Sequence, residues 1–173
     1  FGLGAIGGAP VFVPGLLSGI VYAVPGGADY LLEGAVNGAG IALDWAAREL
    51  ATPDLITRID DWLRTETAPP LFLNGVGGLG APFWVADFAS RFIGEGSIPA
   101  RAVAVAESIL FLVQANLERL PPVARLVATG GLSRAAPLMQ RLADLSGLPV
   151  EVPAEHEATA REGARLLHLS GIG

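Results

Sequence analysis

Two adjacent glycines, Gly130 and Gly131, lie where bare backbone could contact a ligand. The apolar residues 126–128 predict a short buried strand, which these glycines end ahead of a predicted helix. In open α/β sheets, ligands bind beyond the carboxyl ends of the strands, and backbone without a Cβ atom lets a flat ring or a phosphate come close. On these residues alone, an ordinary strand-to-helix turn with glycine chosen for its geometry is the more frequent explanation.

A second glycine-rich stretch, residues 77–84, could hold phosphate oxygens. Its glycines, Gly78 and Gly80 among them, permit positive φ angles and expose amide N–H groups. The stretch is not a Walker loop, and Phe83 stands where a dinucleotide-binding G-x-G-x-x-G pattern needs its last glycine. The alternative is a tight surface turn with Phe83 and Trp84 folded onto the core.

The composition excludes several classes of chemistry. The 173 residues suffice for one domain with its own core. The absence of cysteine excludes disulfides and thiolate metal sites, and the absence of lysine excludes a P-loop lysine, a Schiff base and a lysine general base. The net charge of -6 argues against a nucleic-acid partner, and His156 and His168 lack the spacing of a zinc site, so no metal ligand is predicted. We expect an intracellular, cytoplasmic protein.

The first 28 residues are uncharged, yet they do not predict a membrane span. Pro10, Pro14 and Pro25 are spaced so that no helix of about 20 residues could form. Short strands at 11–13, 19–23 and 30–32 predict an antiparallel meander buried on both faces. Because the chain begins with Phe1 inside an apolar stretch, we expect it to be a piece of a larger protein.

The rest of the chain alternates helices and strands. Predicted strands cover 71–76, 88–94, 126–128 and 149–153. Predicted helices cover 41–51 with Asn37 as N-cap, 53–66 with Thr52 as N-cap, 98–120, the segment from the N-cap Ser133 to Gly147, and 157–167. On the second helix, Asp54/Arg58 and Asp60/Arg64 predict ion pairs on a solvated face, whereas Glu107 on the third needs a buried partner. This order predicts an α/β domain with a mixed central sheet flanked by helices.

Four stretches resemble the C-terminal domain of the FGGY carbohydrate kinases, which belong to the actin, hexokinase and Hsp70 superfamily. They are residues 30–36, the Gly-Leu-Gly-Ala-Pro-Phe-Trp loop at 78–84, the helix at 101–118, and residues 127–144 with the following 147–150 and 157–160. The resemblance covers nearly the whole chain after about residue 18. It implies a ribonuclease-H-like lobe spanning 1–173 that closes on an N-terminal lobe, absent from this chain, over ATP and a small sugar or polyol.

The resemblance also implies roles for six residues. Gly130 and Gly131 would lie against adenine and ribose, Arg134 and Ala135 near the purine, and Gly78 and Gly80 against the phosphates. The sequence departs from the family's pattern at Ala135, where the family often carries Asn or Ser, at Val85 in place of Asp, and at Ala89-Ser90 in place of Arg-Gly. The family's general base precedes this domain, so no residue here is predicted to be catalytic.

The leading hypothesis is the nucleotide-binding lobe of a sugar or polyol kinase that uses Mg²⁺ and ATP. Whether the protein forms a homodimer is left open. A second hypothesis is a non-catalytic relative that kept the fold for binding or assembly, which the departures at Ala135, Val85 and Ala89 favour. A third, a nicotinamide-dependent dehydrogenase, depends on the glycine-rich turns alone.

Overall fold

The fold is described from a computed structural model, which covers residues 2–154. The strands are β1 (Gly2–Gly7), β2 (Leu17–Val24), β3 (Gly27–Ala35), β4 (Leu71–Leu73), β5 (Arg91–Ile93), β6 (Leu126–Val127) and β7 (Val150–Glu151). The α-helices are α1 (Ala39–Glu49), α2 (Leu55–Thr65), α3 (Ile98–Leu117) and α4 (Ala136–Ser146). The predicted helix at 157–167, His156 and His168 lie outside the described residues.

The first three strands form an antiparallel sheet in the order β1-β3-β2. The antiparallel direction was predicted, but three details of the predicted meander are wrong. β3 lies between the other strands, and the predicted strand at 11–13 is a loop, with β1 beginning at Gly2 instead. The loop contains two prolines, which lack a backbone donor, and Gly15 at a φ of 89°, so it cannot continue a ladder of hydrogen bonds. β2 is largely exposed rather than buried on both faces.

The remaining four strands form two separate pairs. β4 and β5 are antiparallel, whereas β6 and β7 are parallel. The predicted α/β class is confirmed, but in residues 2–154 the strands divide among three sheets instead of one mixed sheet. These four strands are only two or three residues long, and each pairs with one other strand. Most of the buried core residues belong to the helices.

Helix α3 is the centre of the core. Its small apolar residues are almost completely buried, and α1, α2 and α4 all pack on it. Ser97 caps it by accepting a hydrogen bond from the amide of Ala100 at 3.2 Å, and Pro99 fits its first turn. By length and composition this helix could cross a membrane, but here it is the buried helix of a packed core.

Glu107 was predicted to need a partner, and that partner is Arg141 on α4. The two side chains form an ion pair that is about one-fifth exposed on each side. The same guanidinium donates to the carbonyl of Leu63 at 2.7 Å and also to that of Glu66, at the carboxyl end of α2. Arg141 therefore fixes α4 against both α2 and α3.

Two predicted N-caps are wrong, one because of a tertiary contact and the other because of a local hydrogen bond. α1 begins after Gly38, which has a φ of 66° and lies against the carbonyl of Val76, while the Asn37 amide donates to the carbonyl of Gly77 at 3.4 Å. The hydroxyl of Thr52 is buried and donates to the carbonyl of Leu50 at 2.9 Å, and α2 starts later.

Candidate functional site

A tight turn joins β6 to α4 and carries the first glycine pair. Gly131–Arg134 form a single 3₁₀ turn, and α4 begins just after Ala135 with proline in its first turn. The buried Ser133 hydroxyl donates to the carbonyl of Gly130 at 2.7 Å. The prediction that Ser133 caps α4 is therefore wrong, because its side chain closes the preceding turn.

Both glycines of this turn are exposed. A Cβ atom built on either Gly130 or Gly131 would meet no heavy atom of the described chain within 4 Å. Gly130 has a φ of 88°, which explains glycine there by conformation. Gly131 lies outside the positive-φ region, so backbone geometry gives no reason for glycine at this position. An ordinary turn thus explains only one of the two residues.

A cleft of about 300 Å³ opens between this turn and α2. This volume is at the small end of the range for ligand sites in proteins. Its inner wall consists of apolar side chains from four helices: Leu43, Ile59, Leu63, Ala106 and Leu138. Its rim is formed by Ile56, Thr57, Asp60, Gly131, Leu132, Arg134 and Ala135. The cleft therefore combines an apolar interior with bare backbone and a few polar groups.

The structure brings four of the six predicted site residues together. Gly131, Arg134 and Ala135 line the cleft, and Gly130 immediately precedes them on the same turn. The individual roles of these four residues in binding a nucleotide stay predictions.

The sequence analysis missed the opposite rim, which α2 supplies. Asp60 was expected to pair with Arg64 on a solvated face, and that prediction is wrong. Arg64 instead lies 3.4 Å from the Asp61 carboxylate, and Asp60 is half-buried beside the cleft. The spacing of Asp60 could have indicated this position. Asp60 follows Ile59 and lies one helical turn from Ile56, at the border of the apolar face of α2. The predicted Asp54–Arg58 pair is present at 3.6 Å.

The second glycine-rich stretch lies elsewhere and is closely packed. Gly78 and Gly80 are both buried, and within residues 2–154 neither lines the cleft described above. A Cβ atom on Gly78 would lie 2.7 Å from the carbonyl oxygen of Ala86, and one on Gly80 would lie 2.2 Å from that of Ala35. The amide of Gly78 also donates to the carbonyl of Gly75 at 2.9 Å. Packing accounts for both glycines, and their contact with phosphates stays a prediction.

The aromatic residues that follow are not folded onto the core. Phe83 and Trp84 are each half-exposed. The indole N–H of Trp84 donates to the carbonyl of Gly15 at 2.7 Å, which ties this stretch to the loop after β1. The alternative given for this stretch was a tight turn with both aromatic side chains folded onto the core. The backbone agrees with a tight turn, but the exposure of the two aromatic side chains does not agree with the rest.

Comparison with known proteins identifies the family. The model of the FGGY family of carbohydrate kinases, C-terminal domain, matches residues 2–167. The chain belongs to the FGGY family. It is 33% identical over 159 residues to a glycerol kinase of Rippkaea orientalis, covering 86% of this chain and 32% of that protein. It is 33% identical to a glycerol kinase of Methylobacterium nodulans, covering 90% of this chain and 34% of that protein.

Solved FGGY kinases share the fold. A ligand-bound xylulose kinase from Lactobacillus acidophilus superposes with a TM-score of 0.78 at 25% identity, over 91% of this chain and 34% of that one. The Plasmodium falciparum glycerol kinase with ADP superposes with a TM-score of 0.77 at 23% identity, over 90% of this chain and 34% of that one. The predicted family and α/β fold are confirmed, and the dehydrogenase hypothesis is not supported. The chain spans about a third of the length of these relatives.

Proposed function

We propose that this chain is the nucleotide-binding lobe of an ATP-dependent carbohydrate kinase. The intact protein would transfer the γ-phosphoryl group of ATP to a hydroxyl of a small sugar or polyol. The observation that carries the proposal is the exposed backbone of Gly130 and Gly131 beside an apolar cleft, in a domain of the FGGY family.

The cleft suits a nucleoside. A purine ring is flat and apolar on its faces, so the apolar inner wall and the half-exposed Ile56 would favour its burial. The absence of a side chain at Gly131 would let the base or ribose approach the main chain. The positive charge of Arg134 on the rim suits a polyanionic ligand.

Mg²⁺ would accompany the triphosphate and neutralise part of its charge. Residues 2–154 contain no group of three or more His, Asp or Glu side chains that could hold a metal ion, and we assign no metal ligand among them. We likewise assign no catalytic base to this chain. Its contribution would be to bind and orient ATP, and phosphoryl transfer depends largely on such positioning.

The remaining two thirds of such an enzyme would include an N-terminal lobe that closes on this one over the sugar or polyol. Closure of this kind excludes water and so limits idle hydrolysis of ATP. A cytoplasmic location accords with the use of ATP, and a homodimer stays a prediction.

The second candidate is a non-catalytic relative, which the apolar side chains at Ala135 and Val85 favour. Measuring ADP release by the intact protein with glycerol, pentoses and hexoses separates the two candidates. The proposal predicts ATP binding and ADP release that depends on one of these acceptors. ATP binding without release on any acceptor would favour the non-catalytic relative, and failure to bind ATP would overturn the nucleotide site itself.

A further inference from the structure

We infer that Asp60 is the residue that recognises the base, by accepting a hydrogen bond from the 6-amino group of adenine. This inference depends on the proposed function, since it assumes that the cleft beside Gly131 takes the nucleoside of ATP. It goes further by assigning selectivity for adenine to a residue on α2, across the cleft from the glycine turn.

Asp60 differs from the other acidic residues of α2 and its N-terminus. Asp54 pairs with Arg58 at 3.6 Å, and Asp61 pairs with Arg64 at 3.4 Å, both on the exposed side of the helix. Asp60 is half-buried at the cleft, and no ion pair or side-chain hydrogen bond involves it within residues 2–154. A carboxylate in such a setting gains from any donor that a ligand brings, because burial removes part of its hydration.

The other polar side chains of the rim suit this role less well. The hydroxyl of Thr57 donates to the carbonyl of Asp54 at 2.8 Å, and as an acceptor it is a neutral group, which makes a weaker hydrogen bond than a carboxylate. Arg134 carries donors only, and the Ala135 side chain has no polar atom. Among the rim side chains that the structure describes, Asp60 is therefore the charged acceptor for an amino group.

The position of Asp60 also suits a ring bound in the cleft. Ile56 lies one helical turn earlier on the same rim and is half-exposed, so it can cover one face of a purine. A base with one face on Ile56 and the other on the backbone of Gly131 would direct an edge along α2 toward Asp60, one helical turn after Ile56. Adenine has an exocyclic N–H donor on that edge, whereas unsubstituted purine has none.

Calorimetry on the intact protein tests the inference with ATP and purine riboside 5′-triphosphate, which lacks the amino group. The wild-type protein should bind ATP about 10-fold more tightly than this analogue, the effect of one hydrogen bond to a charged acceptor. Asp60→Ala should remove that preference by weakening ATP about 10-fold while leaving the analogue within about 2-fold. Asp61→Ala, the matched control on the exposed face, should keep the preference.

Equal affinity of the wild-type protein for the two nucleotides would overturn the inference, and this measurement needs no variant to fold. Equal weakening of both nucleotides by Asp60→Ala would also overturn it, since that result indicates a general structural effect. In either case ATP binding itself would leave the proposed function intact. If the wild-type protein bound neither nucleotide, the proposed function would fail together with the inference.

Discussion

Gly38 and Gly40 lie two residues apart at the start of α1 and have opposite environments. Gly38 has a φ of 66°, and a Cβ atom there would come within 1.9 Å of the carbonyl oxygen of Val76. Gly40 is exposed, and a Cβ atom there would meet no heavy atom of the described chain within 4 Å. The first glycine lets the 75–78 segment pack against the helix, whereas the second has no such packing role.

The two alanine variants should therefore change stability in opposite directions. Gly38→Ala should lower the free energy of unfolding by about 2 kcal/mol or more, because it adds both backbone strain and a clash with main chain. Gly40→Ala should raise it by about 0.5 kcal/mol, because alanine loses less conformational freedom than glycine in a helix. Urea denaturation of the intact protein measures both values. A Gly38→Ala variant as stable as Gly40→Ala would contradict this account of α1.

Single residues also show where prediction from sequence stops. The need of Glu107 for a partner follows from its place beside an apolar stripe, but Arg141 is 34 positions away and nothing local identifies it. Asn116 is similar, because its buried amide donates to the carbonyl of Ala81 at 2.8 Å, across 35 positions. Its side chain also fills the space that a Cβ atom on Gly34 would need. Such partners depend on the fold and not on sequence spacing.

At the scale of elements, one ion pair connects the helices around the cleft. Leu63 on α2 and Leu138 on α4 both line its inner wall, and Arg141 joins these two helices through the carbonyls of Leu63 and Glu66. Glu107 on α3 neutralises the guanidinium. We infer that this contact helps to set the distance between the two rims of the cleft.

Arg141→Met should destabilise the intact protein by about 3 kcal/mol, because it leaves the largely buried Glu107 carboxylate without its counter-charge. Adding Glu107→Gln should recover part of the loss by removing that charge. The matched control is Arg64→Met, which breaks the exposed pair with Asp61 and should cost less than about 1 kcal/mol. Denaturation curves of the four proteins provide the comparison. Equal costs for Arg141→Met and Arg64→Met would show that the buried pair has no special role.

The existence and order of the elements could be predicted better than their ends. The apolar stripes of α2 and α3 and the glycine that ends α4 identified those helices, since these signals are local. The caps were predicted less well. Asn37, Thr52 and Ser133 all have the right residue type, but each bonds elsewhere. The amide of Asn37 donates to a segment distant in sequence, whereas the hydroxyls of Thr52 and Ser133 donate to carbonyls only two and three residues away.

At the scale of the whole molecule, the N-terminal sheet carries apolar side chains that the described chain does not cover. Ile6 and Ile20 are about two-thirds exposed, at 66% and 63%, and Phe12 in the adjoining loop is 81% exposed. Large apolar surfaces of this kind are typical of contacts with another domain. They agree with a chain that spans about a third of its relatives and, in the proposed kinase, with contacts to the remaining part of the protein.

The family was predictable because its motifs follow one another in fixed order along the chain. A cleft lies beside Gly131, and the contact of that residue with a nucleotide stays a prediction. The shape of the site was not predictable, because its second rim comes from α2, about 75 residues earlier. The phosphate role of Gly78 and Gly80 also depends on geometry, and their close packing gives another reason for glycine at both positions.

The most direct test of the nucleotide site is calorimetric titration of ATP into the intact protein with substitutions at Gly131. Gly131 is exposed and outside the positive-φ region, so a side chain there should leave the fold intact while occupying the cleft. We predict that Gly131→Trp weakens ATP binding at least about 100-fold, a loss of about 2.7 kcal/mol, and that Gly131→Ala, the size control, weakens it less. Unchanged ATP affinity in a natively folded Gly131→Trp protein would contradict the assignment of this turn to the nucleotide.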